Sequence, residues 1–159
     1  MDALVSPHSK ALAQATAQLY DVFDATQVMA DIDVCTCDCC VFAPETYQQM
    51  KTTPAKDWPV DLIVQYSNSA HGVPKNQDHL RALFPRYLEI IESDEMVDIA
   101  GFGTELLRFG DAWRNDADFL TVVQQQVLGA WLGIAMDHFI WLDGTEDGAT
   151  YTAEHLVEM

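Results

Sequence analysis

The stretch Val127 to Met136, VLGAWLGIAM, is ten residues long and carries no charge. It follows three glutamines and ends at Asp137-His138. Ten apolar residues are too few to cross a bilayer, which takes about 20. A helix that is apolar nearly all round must instead be enclosed by other protein. The expected helix is capped at Asp116 or Asp118 and reaches about Leu142, and the rest of the chain must supply its partners. The fold expected is all-α: a single compact domain of about five to seven helices around a central apolar helix near 116–142.

Helical periodicity supplies those partners. Ser9 to Ala25 sets Leu12, Thr16, Leu19, Val22 and Phe23 on one face, with Ser6 or Ser9 as cap. Pro44 suits the first position of a short helix through Met50. KTTPAKDWP reads as a loop, and its Asp57 is placed to cap a helix from Trp58 to Ala70. That helix shows Leu62, Ile63, Tyr66 and Ala70 on one side, and His71-Gly72 makes a natural stop. After a cap at Asn76, QDHLRALFPRYLEIIE turns Leu80, Leu83, Phe84, Tyr87, Leu88 and Ile91 inward. Pro85 sits mid-helix, cannot donate to the Arg81 carbonyl and crowds it, so a kink or a junction of two helices is expected there. Glycines at 101, 103 and 110 loosen the next stretch, with Thr104 to Arg114 helical. No strand pattern, internal repeat or low-complexity tract interrupts this reading.

The chain has 159 residues, 49% of them hydrophobic, which suits one domain over 1–159 with a core that needs no staples. Within it, 34–45 reads as an irregular Cys-rich segment and 144–159 as an acidic tail. Net charge is −17, and from Asn115 onward there are eight acids and no base. Such a field repels nucleic acid and anionic membranes, and draws in a basic protein partner. No signal peptide is visible in MDALVSPHSK, so the expected location is cytoplasmic.

All four cysteines lie in VCTCDCCVFAPE: Cys35, Cys37, Cys39 and Cys40. Cys37 and Cys40 have the CxxC spacing with which two thiolates grip one zinc ion, and Cys35 or Cys39 offers a third ligand. The same soft sulfur run would suit copper(I). A zinc ribbon needs a second knuckle, however, and the five histidines are scattered. Nearby acids (Asp31, Asp33, Asp38 and Glu45) raise thiol pKa values and dull a redox role. The favoured reading is a structural knot with no cofactor; the alternative is a zinc- or copper-binding or thiol-sensing module.

No catalytic constellation emerges. SNSAHG holds Ser67, Ser69 and His71 without a nucleophile elbow. His138 of Asp137-His138, at the end of the apolar stripe, reads as a hydrogen-bonded structural residue, Asp78-His79 as first-turn residues, and GFG at 101–103 lacks the lysine of a phosphate loop. Arg81 and Arg86 stand out in so acidic a chain, and a structural role is the favoured reading for both.

Two blocks together, CDCCVFAPETYQQMKTTP and LIVQYSNSAHG…DHLRALFPRYLEII, carry a resemblance. Over roughly residues 35–92 the chain resembles a family of small bacterial proteins with a Cys-rich knot, a Thr-Pro loop and a DxxRxFLPRxxEL block. Here that block is Asp78, Arg81, Phe84, Pro85, Arg86 and Glu89, with Leu83 and Phe84 in exchanged order. The resemblance implies a compact, helical, cytosolic protein in which the cysteines and Pro85-Arg86 form one structural unit. It supplies no catalytic residues. The function expected is a non-enzymatic bacterial interaction protein that neutralises a basic partner such as a toxin, in the manner of an immunity protein.

Overall fold

The computed structural model describes residues 5–29, 32, 34, 43–69, 77–93 and 102–144. Among these it contains six α-helices: α1 (Ser9–Val22), α2 (Pro44–Thr52), α3 (Val60–Ser69), α4 (Gln77–Glu92), α5 (Phe102–Asn115) and α6 (Val122–Asp143). One 3-10 turn, Ala55–Asp57, lies between α2 and α3. No strand occurs among the described residues; Val28 and Pro54 make one isolated antiparallel bridge. The all-α, single-domain expectation holds.

Helix α6 packs chiefly along α1. It is not enclosed on all sides as expected: Gly129, Ala130, Gly133 and Ile140 are exposed, because small residues make up much of that side. Its buried residues, Leu128, Trp131, Ala135, His138 and Phe139, face Leu12, Ala15, Thr16 and Leu19 in one continuous core. The inward face read for α4 is correct at every position, and His79, Pro85 and Ile90 are buried as well. Helix α4 runs unbroken through Pro85, which overturns the alternative of two helices meeting there. Proline removes one backbone bond and displaces the Arg81 carbonyl. Buried Leu83, Phe84, Tyr87 and Leu88 on either side provide the packing that offsets this loss.

The end of α1 differs from the expectation of Ala25. The helix stops at Val22, and Asp24 takes a left-handed conformation with φ 53°. Aspartate tolerates that region better than most residues. The reversal carries Ala25 inward, where its carbonyl accepts the Lys56 N–H at 2.9 Å. At the other end, His8 is the N-cap and makes no side-chain cap; the Ser6 hydroxyl accepts the His8 N–H at 3.2 Å. Asp57 does not cap α3: it ends the 3-10 turn, and Trp58 and Pro59 intervene before Val60.

The start of α6 is the clearest correction. Neither Asp116 nor Asp118 caps it. Asp116 instead closes a turn, its carboxylate accepting the Asp118 N–H at 3.0 Å. The cap is Thr121, in a reciprocal box with Gln124. The Gln124 N–H donates to the Thr121 hydroxyl at 3.2 Å, and the Gln124 side chain accepts the Thr121 N–H at 2.9 Å. The Gln124 amide also donates to the Val22 carbonyl at 3.0 Å, satisfying an orphan acceptor at the end of α1. Thr121→Ala is expected to lower the unfolding free energy by about 1 kcal/mol. Urea unfolding followed by circular dichroism checks this, and no loss would show that the box is idle.

Candidate functional site

The polar residues of the sequence block fall into two groups on α4. Arg81 pairs with Asp78, donates to the Phe119 carbonyl at 3.0 Å, and lies 5.6 Å from the centre of the Phe119 ring. Arg86 pairs with Glu89 and donates to the Trp58 carbonyl at 2.9 Å. Each arginine therefore fixes a connection onto α4: Arg81 the α5–α6 turn, Arg86 the approach to α3. Phe84 stacks on Phe109 and contacts Phe23. Within the described residues, the side chains of the block join α4 to its neighbours. Cys35, Cys37, Cys39 and Cys40 lie outside those residues, as do Ala70, His71, Gly72, Asn76 and the segment 145–159.

Glu89 and Glu92 begin a polar chain that crosses the bundle. Tyr20 of α1 donates to Glu89, and the Thr16 hydroxyl donates to Glu92 at 2.7 Å. Thr16 in turn accepts the Trp131 indole N–H at 2.8 Å. One buried hydroxyl thus links α6, α1 and α4. Burial, together with the Glu89 carboxylate, pushes the Tyr20 phenol well above its ordinary range, which keeps it a donor. Burial raises the Glu92 pKa; its bond from Thr16 lowers it and the charge on Glu89 raises it. At the far end of α6, burial lowers the His138 pKa, and His8 opposes a second positive charge there. The His138 Nδ1 is buried without a hydrogen-bond partner among the described residues.

These two groups give stability opposite pH slopes. His138 titrates lower in the folded chain than its ordinary 6.5, so the unfolded chain binds the extra proton and stability falls as pH drops through 6.5. Glu92 titrates above 4.5 when folded, so its contribution is full below that value and is lost as pH rises through the folded pKa. Thermal midpoints measured from pH 4 to 8 should show a shallower acid-side loss in His138→Gln. Glu92→Gln should remove the opposing slope and steepen it. Identical profiles in wild type and both variants would refute the assignment.

Where the ends of α1, α4 and α6 converge, a groove of about 560 Å³ opens. Its floor is apolar, with Phe23, Met29 and Ala82. Asp24, Gln27, Asp78, Thr121 and Gln124 supply its polar groups, and the first four are exposed. Two bases also line it: Arg81, paired with Asp78, and the buried imidazole of His79. Carboxylate and amide oxygens above an apolar floor complement an ammonium or guanidinium on an aliphatic stem. Sequence reasoning found Asp78 and Arg81 but not Asp24, Gln27, Thr121 or Gln124. Of these, only the T-x-x-Q spacing of a capping box was a readable signal.

Among the described residues, no cluster of three or more His, Cys, Asp or Glu side chains is placed to hold a metal ion. No helix among them is long and apolar enough to cross a membrane. No family model, curated protein or solved structure matches the chain, so the roles of its residues rest on geometry and chemistry alone.

Proposed function

We propose that this protein is a non-enzymatic binder of a basic protein partner, and that it acts by occupying the partner's cationic surface, as an immunity-type neutraliser of a toxin would. One observation carries the reading: a chain of net charge −17 opens a groove lined by two acids, Asp24 and Asp78, against one arginine, Arg81, which Asp78 offsets, so that the exposed Asp24 leaves the rim negative. Charge complementarity of this kind speeds encounter and selects against acidic partners. An arginine or lysine of the partner would lay its stem on Phe23 and Met29 and its charged head against the rim.

The test is affinity capture from cells of the source organism with two baits. One is the wild-type chain, and the other carries Asp24→Asn and Gln27→Lys. Asparagine keeps the left-handed conformation at position 24 while removing the charge. The double variant changes net charge by only two, so a general attraction to basic proteins survives in it. A partner recovered by the wild type and lost by the variant supports the groove reading. Equal recovery by both baits, or none by either, defeats it.

A further inference from the structure

The groove at the ends of α1, α4 and α6 gathers its oxygens above carbon. Asp24 and Gln27 share one turn after α1, closed by the bond from the Gln27 N–H to the Asp24 carbonyl at 3.1 Å. Asp78 stands across from them on the first turn of α4, and Thr121 at the start of α6. All four side chains are exposed. Beneath them lie Phe23 and Met29, only 2% and 6% exposed. A cation seated here must meet several oxygens at once while most of its surface rests on apolar groups.

The helix ends favour the same sign of ligand. Two N-termini reach the groove, and each already has an oxygen that offsets its dipole: Asp78 in the first turn of α4, and the Thr121 hydroxyl on the Gln124 N–H of α6. The C-terminal end of α1 has no basic residue in its last turn, and an acid, Asp24, follows it. The uncompensated end is therefore the negative one. Of the two bases in the wall, Arg81 is paired with Asp78 and His79 is buried.

The geometry points to an arginine of the partner, rather than a lysine, as the side chain this groove takes, an inference that rests on the basic-partner reading. A guanidinium presents five N–H donors in a rigid plane and is more weakly hydrated than an ammonium. It donates to the Asp24 carboxylate and the Gln27 amide oxygen together while its stem and face lie on Phe23 and Met29. A lysine ammonium is a compact, strongly hydrated charge, and an apolar floor removes water that the rim replaces only in part. The wall already holds one guanidinium in this manner. Arg81 bonds the Asp78 carboxylate and the Phe119 carbonyl, which belong to different elements, and lies 5.6 Å from the centre of the Phe119 ring.

Three blocked tripeptides, with glycine on either side of arginine, lysine or citrulline, provide the test. Each is titrated into the full chain with labelled methionine methyl groups, in about 0.05 M NaCl. The Met29 methyl signal, assigned with Met29→Leu, reports what occupies the floor. The arginine tripeptide should shift it with an affinity at least fivefold above that of the lysine tripeptide. Citrulline, which keeps the shape without the charge, should bind most weakly, and Asp24→Asn should weaken arginine binding at least threefold. Lysine binding as tightly as arginine overturns the inference; if Asp24→Asn then weakens both, the basic-partner reading stands and only the choice of arginine falls. Citrulline binding as tightly as arginine, or no shift of Met29 with arginine up to about 10 mM, also overturns it. Arginine selected over lysine by a chain that captures no protein supports the inference and defeats the basic-protein reading alone.

Discussion

Trp131→Ala is expected to lower the unfolding free energy by about 4 kcal/mol, more than any other single substitution proposed for this chain. Trp131 is fully buried on α6, and its indole N–H ends the relay through Thr16 to Glu92. Truncation removes the ring, leaves a cavity between α1 and α6, and strips the Thr16 oxygen of a donor. A domain of this size has total stability of only about 5–15 kcal/mol, so the variant should unfold at much lower urea than wild type. Thr16→Val, nearly isosteric, separates the polar part from the packing. It removes the acceptor for Trp131 and the donor to Glu92, and should cost about 2 kcal/mol. Circular dichroism in urea reads both. A loss below about 1 kcal/mol for Trp131→Ala would mean that the α1–α6 contact is not the centre of the fold.

Arg86→Met is expected to cost about 2–3 kcal/mol. The substitution keeps an apolar stem, so packing survives while two polar groups lose a partner: the Trp58 carbonyl, and the Glu89 carboxylate, which keeps the Tyr20 hydroxyl but no cation. Removing one member of a fully buried ion pair costs about 3–5 kcal/mol. Glu89 is 38% exposed, and solvent screening places this pair lower. Arg86→Lys should recover only part of the loss, because one ammonium does not reproduce a fork that reaches Trp58 and Glu89 together. Adding Glu89→Gln to Arg86→Met should restore some stability by removing the unmatched charge. If Arg86→Met unfolds at the same urea concentration as wild type, the arginine does not hold the α3 approach to α4.

Sequence periodicity predicted the faces of the helices better than their ends. Leu80, Leu83, Phe84, Tyr87, Leu88 and Ile91 were recognisable because spacings of three and four fix which side of a helix a residue occupies. Helix starts rest on a choice among several capping residues. Asp116, Asp118 and Thr121 are all good caps, and the choice is made by Phe119 and Leu120, which are buried in the turn before α6. A helix begun at Asp116 would have carried both along a helical path instead. Pro85 predicted a disturbance, but burial on both sides kept α4 continuous.

The groove was not legible for a different reason. Its residues come from three stretches of sequence, 23–29, 78–82 and 121–124, and the Gln124–Val22 bond that ties two of them together spans 102 residues. The Trp131–Thr16 bond spans 115. Neither leaves a local pattern. Arg81 stood out because a base is rare in this chain, and Asp78 as the first residue of the DxxR block, but what they do together needed the turn at Phe119 to be placed beside them.

If charge complementarity binds a basic partner at the groove, salt must weaken the complex. The decisive quantity is the affinity of the wild-type chain for the protein it captures, titrated from about 0.05 to 0.5 M NaCl. The dissociation constant should rise at least tenfold over that range, and the groove variant should bind weakly throughout. An affinity independent of salt, or a captured partner that is itself acidic, would contradict the proposed role of the groove.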